Sequence, residues 1–597
     1  MSVIPTRRSV LRGAAVAAAV PLAGSIATGS AFASPSSHKG ADLGPNVLVF
    51  HPSMGDAAIQ AQVDAVFAIQ ESNQFGDERY ALAFMPGTYN VDINVGFYTH
   101  VLGLGDSPDD VVINGHVTVD AQWFGGNGTQ DFWRAAENLC IVPPDGLERW
   151  AVAQAGPMRR VHVKGDMNLM PSPPGNGWSS GGYLADSVVD GQVQSGSQQQ
   201  WLSRNDTLGS WAGSNWNMVF VGVQGAPAQS FPAPPMTTVD RTPVVREKPF
   251  LTVDRHGDYE VFVPALRTNS TGTTWAHGRA AGHSIQLSRF FVAKPGDSAG
   301  EINQALSRGR HLLFTPGIYN LSSTIRVTRP GTVVLGLGYT TLRSTHGNTL
   351  IEVADVSGVS IAGVLVEAAS AHTPVLIKVG DGRSGRRHST DPTVLYDVFA
   401  RIGGAIAGGA GVSVQIDSND VICDHLWLWR ADHGLDGTVG WAVNPADTGI
   451  VVNGDHVTAY GLFVEHYQKY EVVWNGEHGR TYFFQNENPY DVPTQSAWVH
   501  GSTKGYAAYK VGDHVRDHLA WGLGSYCFFN LNADIYNDRT YEVPDTPGVV
   551  FTDLMTVCLN GAGGGGMLHA INNSGDPVQN GFAVFNMKSY SNGVAVD

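Results

Sequence analysis

Pro86-Gly87-Thr88-Tyr89-Asn90, followed by Val101-Leu102-Gly103-Leu104-Gly105, returns as Pro316-Gly317-Ile318-Tyr319-Asn320 followed by Val334-Leu335-Gly336-Leu337-Gly338. The two blocks recur 230 and 233 residues later. Each copy follows a helix-like stretch, Ala57-Ala58-Ile59-Gln60-Ala61-Gln62-Val63 in one and Glu301-Ile302-Asn303-Gln304-Ala305-Leu306 in the other. A three-part pattern repeated at one offset marks two tandem domains of one architecture. Around the blocks the strand-like runs are short and β-branched: Val161-His162-Val163, Thr332-Val333-Val334-Leu335, Val359-Ser360-Ile361, Ile450-Val451-Val452. Gly, Asn or Asp turns interrupt them every few residues, and helical periodicity is nearly absent elsewhere. This is the pattern of an all-β chain of two tandem parallel β-helix domains, pectin-lyase-like, each opened by a short capping helix. A β-sandwich explains the opening helix and the repeated blocks less well.

Outward from the blocks, the boundaries are read as follows. Residues 1–33 carry a twin-arginine pattern, Thr6-Arg7-Arg8-Ser9-Val10-Leu11-Arg12, an apolar segment and an Ala31-Phe32-Ala33 cleavage site; they are expected to be a signal peptide for twin-arginine export, making the protein secreted and extracellular. Residues 34–45 are a linker, 46–270 the N-terminal β-helix domain, 271–289 an inter-domain linker and 290–597 the C-terminal β-helix domain. No run of 18 apolar residues follows the leader, so no membrane span is expected. Without the leader's three arginines, 34 basic residues face 53 acidic ones, a net charge of −19. That balance argues against nucleic acid or any polyanion as partner and favours a neutral substrate. The four cysteines, Cys140, Cys423, Cys527 and Cys558, form no C-x-x-C pair and read as buried free thiols.

One motif misleads. Gly296-Asp297-Ser298-Ala299-Gly300 fits the G-x-S-x-G nucleophile pattern. It lies just before a helix, however, and Ser298-x-x-Glu301 is a capping box. No metal or redox cofactor is implied: there is no H-E-x-x-H, no zinc-ligand spacing and no dinucleotide glycine motif.

Polar and aromatic residues concentrate in three segments of the second repeat: Asp424–His433 (DHLWLWRADH), Phe463–Tyr470 (FVEHYQKY) and Phe483–Tyr490 (FFQNENPY). Glu465 and Glu487 lie 22 residues apart, about one β-helix coil, which stacks them on one face at a strand spacing of ~4.8 Å. Two carboxyls so placed do not both ionise easily, leaving a proton donor beside an acceptor, as glycoside hydrolysis needs. In the first repeat, Asp190–Trp201 (DGQVQSGSQQQW) leads into Ser210–Trp216. Gln192 and Ser214 are again 22 apart, and are expected to form a neutral ladder facing the cleft.

At these residues the chain resembles glycoside hydrolase family 55, the bacterial exo-β-1,3-glucanases (laminarinases), over essentially all of the mature sequence. The resemblance implies two tandem right-handed β-helices with the site between them, and a monomer that cuts β-1,3-glucan from its non-reducing end, releasing glucose with inversion. It implies Glu487 as general acid, and Glu465, Gln192 and Ser214 as a network polarising the attacking water, with Gln194 or Gln198 as replacements for Gln192. Trp429 and Asp432 match positions that hold the terminal sugar; Tyr467, Tyr490 and Trp201 are further candidates for sugar contact. Two rival functions remain at this point. A polysaccharide lyase needs a Lys or Arg base and often calcium, for which no clustered Asp is evident. A non-catalytic carbohydrate-binding β-helix has no need of the Glu465/Glu487 pair.

Overall fold

The computed structural model describes residues 42–172, 177–382, 384–559 and 563–596. The segment expected to be a signal peptide, residues 1–33, and most of the 34–45 linker lie outside the described residues. Two helices of length occur among them, α1 (Asp56–Gln70) and α2 (Ala299–Ser307). They occupy equivalent places, each between the first and second strands of a parallel ladder.

The repeated motif has the same mechanical role twice. Gly87 (φ +149°) and Gly317 (φ +153°) each sit against a proline, where a Cβ would lie 2.4 Å from Pro52 Cγ or Pro295 Cγ. Only glycine fits there. The Tyr89 hydroxyl reaches the carbonyl oxygens of Phe50 (3.1 Å) and Met85 (2.7 Å); Tyr319 reaches those of Ala293 (2.8 Å) and Thr315 (3.0 Å). In both copies a buried phenol thus ties the end of the first strand to the end of the second. Ser298 is a cap: its Oγ accepts from Glu301 N, and the Glu301 carboxylate accepts from Ser298 N.

The first parallel ladder climbs one coil at a time through Val47–Phe50, Tyr80–Phe84, Thr99–Gly103, Arg134–Val142, Pro157–Val163, Tyr183–Ala185, Gln200–Arg204, Asn217–Val221 and Met236–Val239. The second runs from Phe290–Ala293 to Val549–Leu559 and ends in two antiparallel strands. An eight-stranded parallel sheet, Ile325–Val327 to Tyr541–Glu542, forms another wall of the second helix. The 271–289 linker needs correcting. Residues 242–286 make two small antiparallel sheets, with Gly282–Gln286 paired to Tyr259–Pro264. The first parallel ladder therefore stops at Val239, and the connection between the helices is a folded element.

The two helices share a core. Leu82, Val101 and Leu184 point into the first helix. Their neighbours Ala81, Ala83, Leu102, Tyr183 and Leu202 point out of it, against Leu365, Phe399, Trp427, Tyr460 and Phe463 of the second. Strands buried on both faces need apolar side chains at every position, so these runs lack a polar alternate. Burying each Val, Leu or Ile stabilises by ~1.5–3 kcal/mol, which glues the helices side by side.

Charges cross this contact as well. Arg159 reaches Asp397 (2.8 Å) and Asp424 (3.0 Å), and Arg204 reaches Glu247 (2.7 Å) and Asp424 (3.1 Å), all buried. Tyr183 Oη donates to Asp424 at 2.5 Å. Burial opposes ionisation of Asp424, but Arg204 and Arg159 hold its carboxyl below the ordinary range. All four cysteines are buried and form no disulfide. No described helix is long and apolar enough to cross a membrane.

Candidate active site

One ladder position of the second helix gathers the site. Arg401, Trp429, Glu465, Glu487 and Tyr526 are register partners on successive coils. Four residues before each of them the chain turns through a left-handed residue: Asp397, His425, Gly461, Phe483 and Gly522, with φ between +47° and +69°. This bend recurs on every coil, so the fourth residue beyond it faces the same way each time. The 22-residue spacing of Glu465 and Glu487 is therefore one coil, with the two acids in direct register.

Both acids line a pocket of about 590 Å³, open solvent at its mouth included. The second helix contributes Trp429, Asp432, His433, Glu465, His466, Glu487 and Tyr490; the first contributes Phe124, Asn127, Thr129, Gln130, Phe132 and Gln154. Glu465 is 3% exposed. Gln154 Nε2 donates to one of its oxygens (2.8 Å) and Trp427 Nε1 to the other (2.9 Å). Burial first, and the Glu487 charge second, push the Glu465 carboxyl well above the usual range. Glu487 accepts a hydrogen bond from the Tyr490 hydroxyl. At one end of the pocket, Trp429 stacks on Trp427 (centroids 5.0 Å, 21°), and His433 contacts both Gln74 (2.6 Å) and Asp432 (2.8 Å). Side chains of both helices meet there, Gln74 from the first and His433 from the second.

The structure thus brings Glu465, Glu487, Trp429, Asp432 and Tyr490 together. Gln192 and Ser214 are corrected. Coils of the first helix are shorter here, so Gln192 pairs with Ser210, 18 residues on, rather than with Ser214. Gln192 is exposed on the outer face, bonded to Ser210 Oγ at 3.3 Å, and neither residue lines the pocket. Gln194, half-buried, lies beyond the pocket on the same strand as Gln192. Trp201 and Tyr467 are also corrected. Trp201 points into the first helix's interior, and Tyr467 into the second's, its hydroxyl 2.6 Å from Ser413 Oγ. Gln198 is buried and braces the backbone, its Oε1 accepting from Gly181 N (2.8 Å).

The residue missed in the first helix is Gln154. Its signal was present: a lone amide within Ala151-Val152-Ala153-Gln154-Ala155, where a buried polar side chain demands a partner. His433 and His466, inside segments already singled out, also belong to the pocket. Among the described residues one Cys/His/Asp group has metal-ligand proximity, Asp109, Cys140 and His162. It lies away from the pocket, and the histidine is already bonded to Asp109 and Asp190.

Residues 290–487 match the LAM55 pectate lyase-like domain. The chain is 56% identical, over 90% of its own length and 88% of the relative's, to an exo-β-1,3-glucanase of Streptomyces sp. (strain SirexAA-E). It is 24% identical over 44% of its length to a glucan 1,3-β-glucosidase of Cochliobolus carbonum, covering 40% of that protein. The solved structure of sacteLam55A from Streptomyces sp. SirexAA-E superposes with a TM-score of 0.89 at 54% identity, covering 92% of this chain and 99% of that one. A glutamate-to-alanine variant of the same protein, solved in complex with glucose, also gives 0.89, at 53% identity over 92% and 98% of the two chains. With the acid pair in register inside a pocket walled by two β-helices, the chain belongs to glycoside hydrolase family 55.

Proposed function

We propose that this enzyme is an exo-acting β-1,3-glucanase that removes glucose from the non-reducing end with inversion, and that it works as a secreted monomer exported by the twin-arginine route. The observation that carries the reading is the Glu465–Glu487 pair in register inside a pocket walled by both helices. Glu487 is the general acid, its proton delivered to the glycosidic oxygen. Glu465 and Gln154 hold and polarise water. This last pairing replaces Gln192 and Ser214 as the cross-domain part of the network. The relative's name, exo-β-1,3-glucanase, and the glucose held by the solved variant support the substrate class. Export rests on the Arg7-Arg8 leader.

The carboxylates of the pocket, Asp432, Glu465 and Glu487, all stand on the second helix, whereas the facing wall offers amide, hydroxyl and aromatic groups. Stacking of Glu465 and Glu487 on adjacent coils permits either stereochemistry; the family resemblance and the Gln154 amide beside Glu465, able to hold a water, support inversion. Among the described residues no lysine or arginine lines the pocket, which disfavours the lyase alternative. Proton NMR of laminarin digestion tests the proposal: α-glucose is the first product. A β-anomer first excludes inversion, an early ladder of long oligosaccharides excludes exo attack, and unsaturated products show a lyase.

Gln154 and Gln192 separate the corrected site from the sequence expectation. Gln154→Ala removes a donor to a charge-bearing group and lowers kcat on laminarin ~10- to 100-fold. Gln192→Ala, at an exposed position, changes it less than about twofold. Equal effects in steady-state assays overturn the placement of Gln154.

A further inference from the structure

The outer wall of the first helix gathers a different set of reactive groups. Strands Arg134–Val142 and Pro157–Val163 bend at Asn138 (φ +54°) and Arg160 (φ +51°). Past the bends Leu139, Ile141, Val161 and Val163 point into the helix. Cys140 and His162, which alternate with them, therefore point out. The two are register partners on successive coils, with Val112 before Cys140 in the same row. Asp109 reaches the row from the single turn Pro108–Asp110 on the preceding coil. One ligand atom from each of Asp109, Cys140 and His162 lies within 4.8 Å of the other two.

We propose that Asp109, Cys140 and His162 bind a zinc ion, with Asp190 as the carboxylate that orients the histidine. The residue types select the metal. Thiolate, imidazole and carboxylate are the usual ligands of zinc, whereas a sulfur ligand disfavours calcium and magnesium, which take oxygen. Three protein ligands leave the fourth tetrahedral position to water. On binding, the thiol releases its proton to solvent. The ion also displaces the proton between His162 Nδ1 and Asp109 Oδ1, which are 2.7 Å apart. Its two positive charges then meet the negative charges of the thiolate and of Asp109.

The histidine is held as a metal ligand is held. Its other nitrogen, Nε2, lies 3.1 Å from Asp190 Oδ1; a carboxylate there takes the Nε2 proton and turns Nδ1 toward the metal. Trp275, from the folded connection between the helices, packs on the imidazole (centroids 5.7 Å), and its Nε1 donates to Asp186 O (2.6 Å). Cys140 is buried, while Asp109 and His162 reach solvent and give the ion a way in. Lys164 Nζ stands 3.8 Å from Asp109 on an exposed side chain that is able to turn away. An ion bound here joins three consecutive coils and stabilises the folded first helix. The site shares no residue with the acid pocket.

Cobalt reports on the thiolate. The full chain, stripped with a chelator, is titrated with Co²⁺. One equivalent produces the near-ultraviolet charge-transfer band of a cobalt thiolate, and Zn²⁺ abolishes the band by displacement. Cys140→Ser loses the band. Asp190→Asn, outside the ligand set, keeps it but binds ~10- to 100-fold more weakly. Zn²⁺ raises the thermal midpoint of the native chain and leaves that of Cys140→Ser unchanged. Asp109→Asn and His162→Gln, whose side chains reach solvent, also lose tight binding and carry the test if the serine variant does not fold. No band at one equivalent, or a band that survives in Cys140→Ser or in both of the solvent-facing variants, overturns the site. Unchanged affinity in Asp190→Asn overturns the part given to Asp190.

Discussion

Glu487→Gln lowers turnover on laminarin by ~10²-fold or more, while turnover on a 2,4-dinitrophenyl β-glucoside falls far less. The contrast follows from what a general acid supplies. A glucan leaving group departs as an alkoxide unless it is protonated, and a positioned acid is worth ~10²–10⁴-fold in such a step. A dinitrophenolate leaves without help. Glu487 stands at the end of its strand, 5% exposed, with the Tyr490 hydroxyl on its carboxylate. Next to it, Glu465 is deeper and held by donors on both oxygens. Burial and the Glu487 charge push the Glu465 carboxyl well above the usual carboxylate range. In the glutamine variant no proton is delivered to the leaving oxygen. Equal losses on the two substrates would show that Glu487 acts in binding or folding and that another group is the acid.

The fold was legible because its signals are local. The Pro-Gly-x-Tyr block sets a glycine against a fixed proline and a phenol onto two carbonyls, and both demands are written within a few residues. The acid pair was legible because the turn between Glu465 and Glu487 happens to make one short coil. The same period applied to Gln192 and Ser214 failed, since the first helix closes its coils there in 18 residues. Nothing in one coil's sequence announces the length of another's. Trp201 and Tyr467 were misread for a different reason. On a strand buried on both faces, no polar alternate tells which side is groove and which is interior: Trp201 points inward while Leu202 meets the partner helix. Gln154 depends on a contact 311 residues away, which spacing alone does not reveal.

Asp424→Ala destabilises the protein by ~3–5 kcal/mol, because it leaves Arg159 and Arg204 buried with part of their counter-charge gone. Asp447→Ala is the control: its ion pair with Lys469 is shorter still (2.8 Å) but lies in solvent, so its loss has little effect. Denaturant midpoints of the two variants decide the matter; similar shifts would mean the buried network contributes nothing special. The pH dependence has a definite sign. Folding depresses the carboxyls of Asp424 and Asp397 despite their burial, because Arg204 and Arg159 hold the first and Arg159 and His425 the second. Their stabilisation is therefore present above the ordinary carboxylate range, ~4, and is lost as pH falls through the depressed values. Asp424→Ala removes its share, so the variant's stability falls less steeply in acid than that of the native protein. Activity suffers through the same strand. Asp424 precedes the left-handed bend at His425. Beyond that bend, Trp427 donates to Glu465 and Trp429 lines the pocket. The bond between Gln154 and Glu465 crosses the same interface that Arg159 and Arg204 lock. Loosening the lock moves the water-holding amide away from its carboxylate before the chain unfolds, so kcat on laminarin drops at temperatures where circular dichroism still reports an intact β-structure.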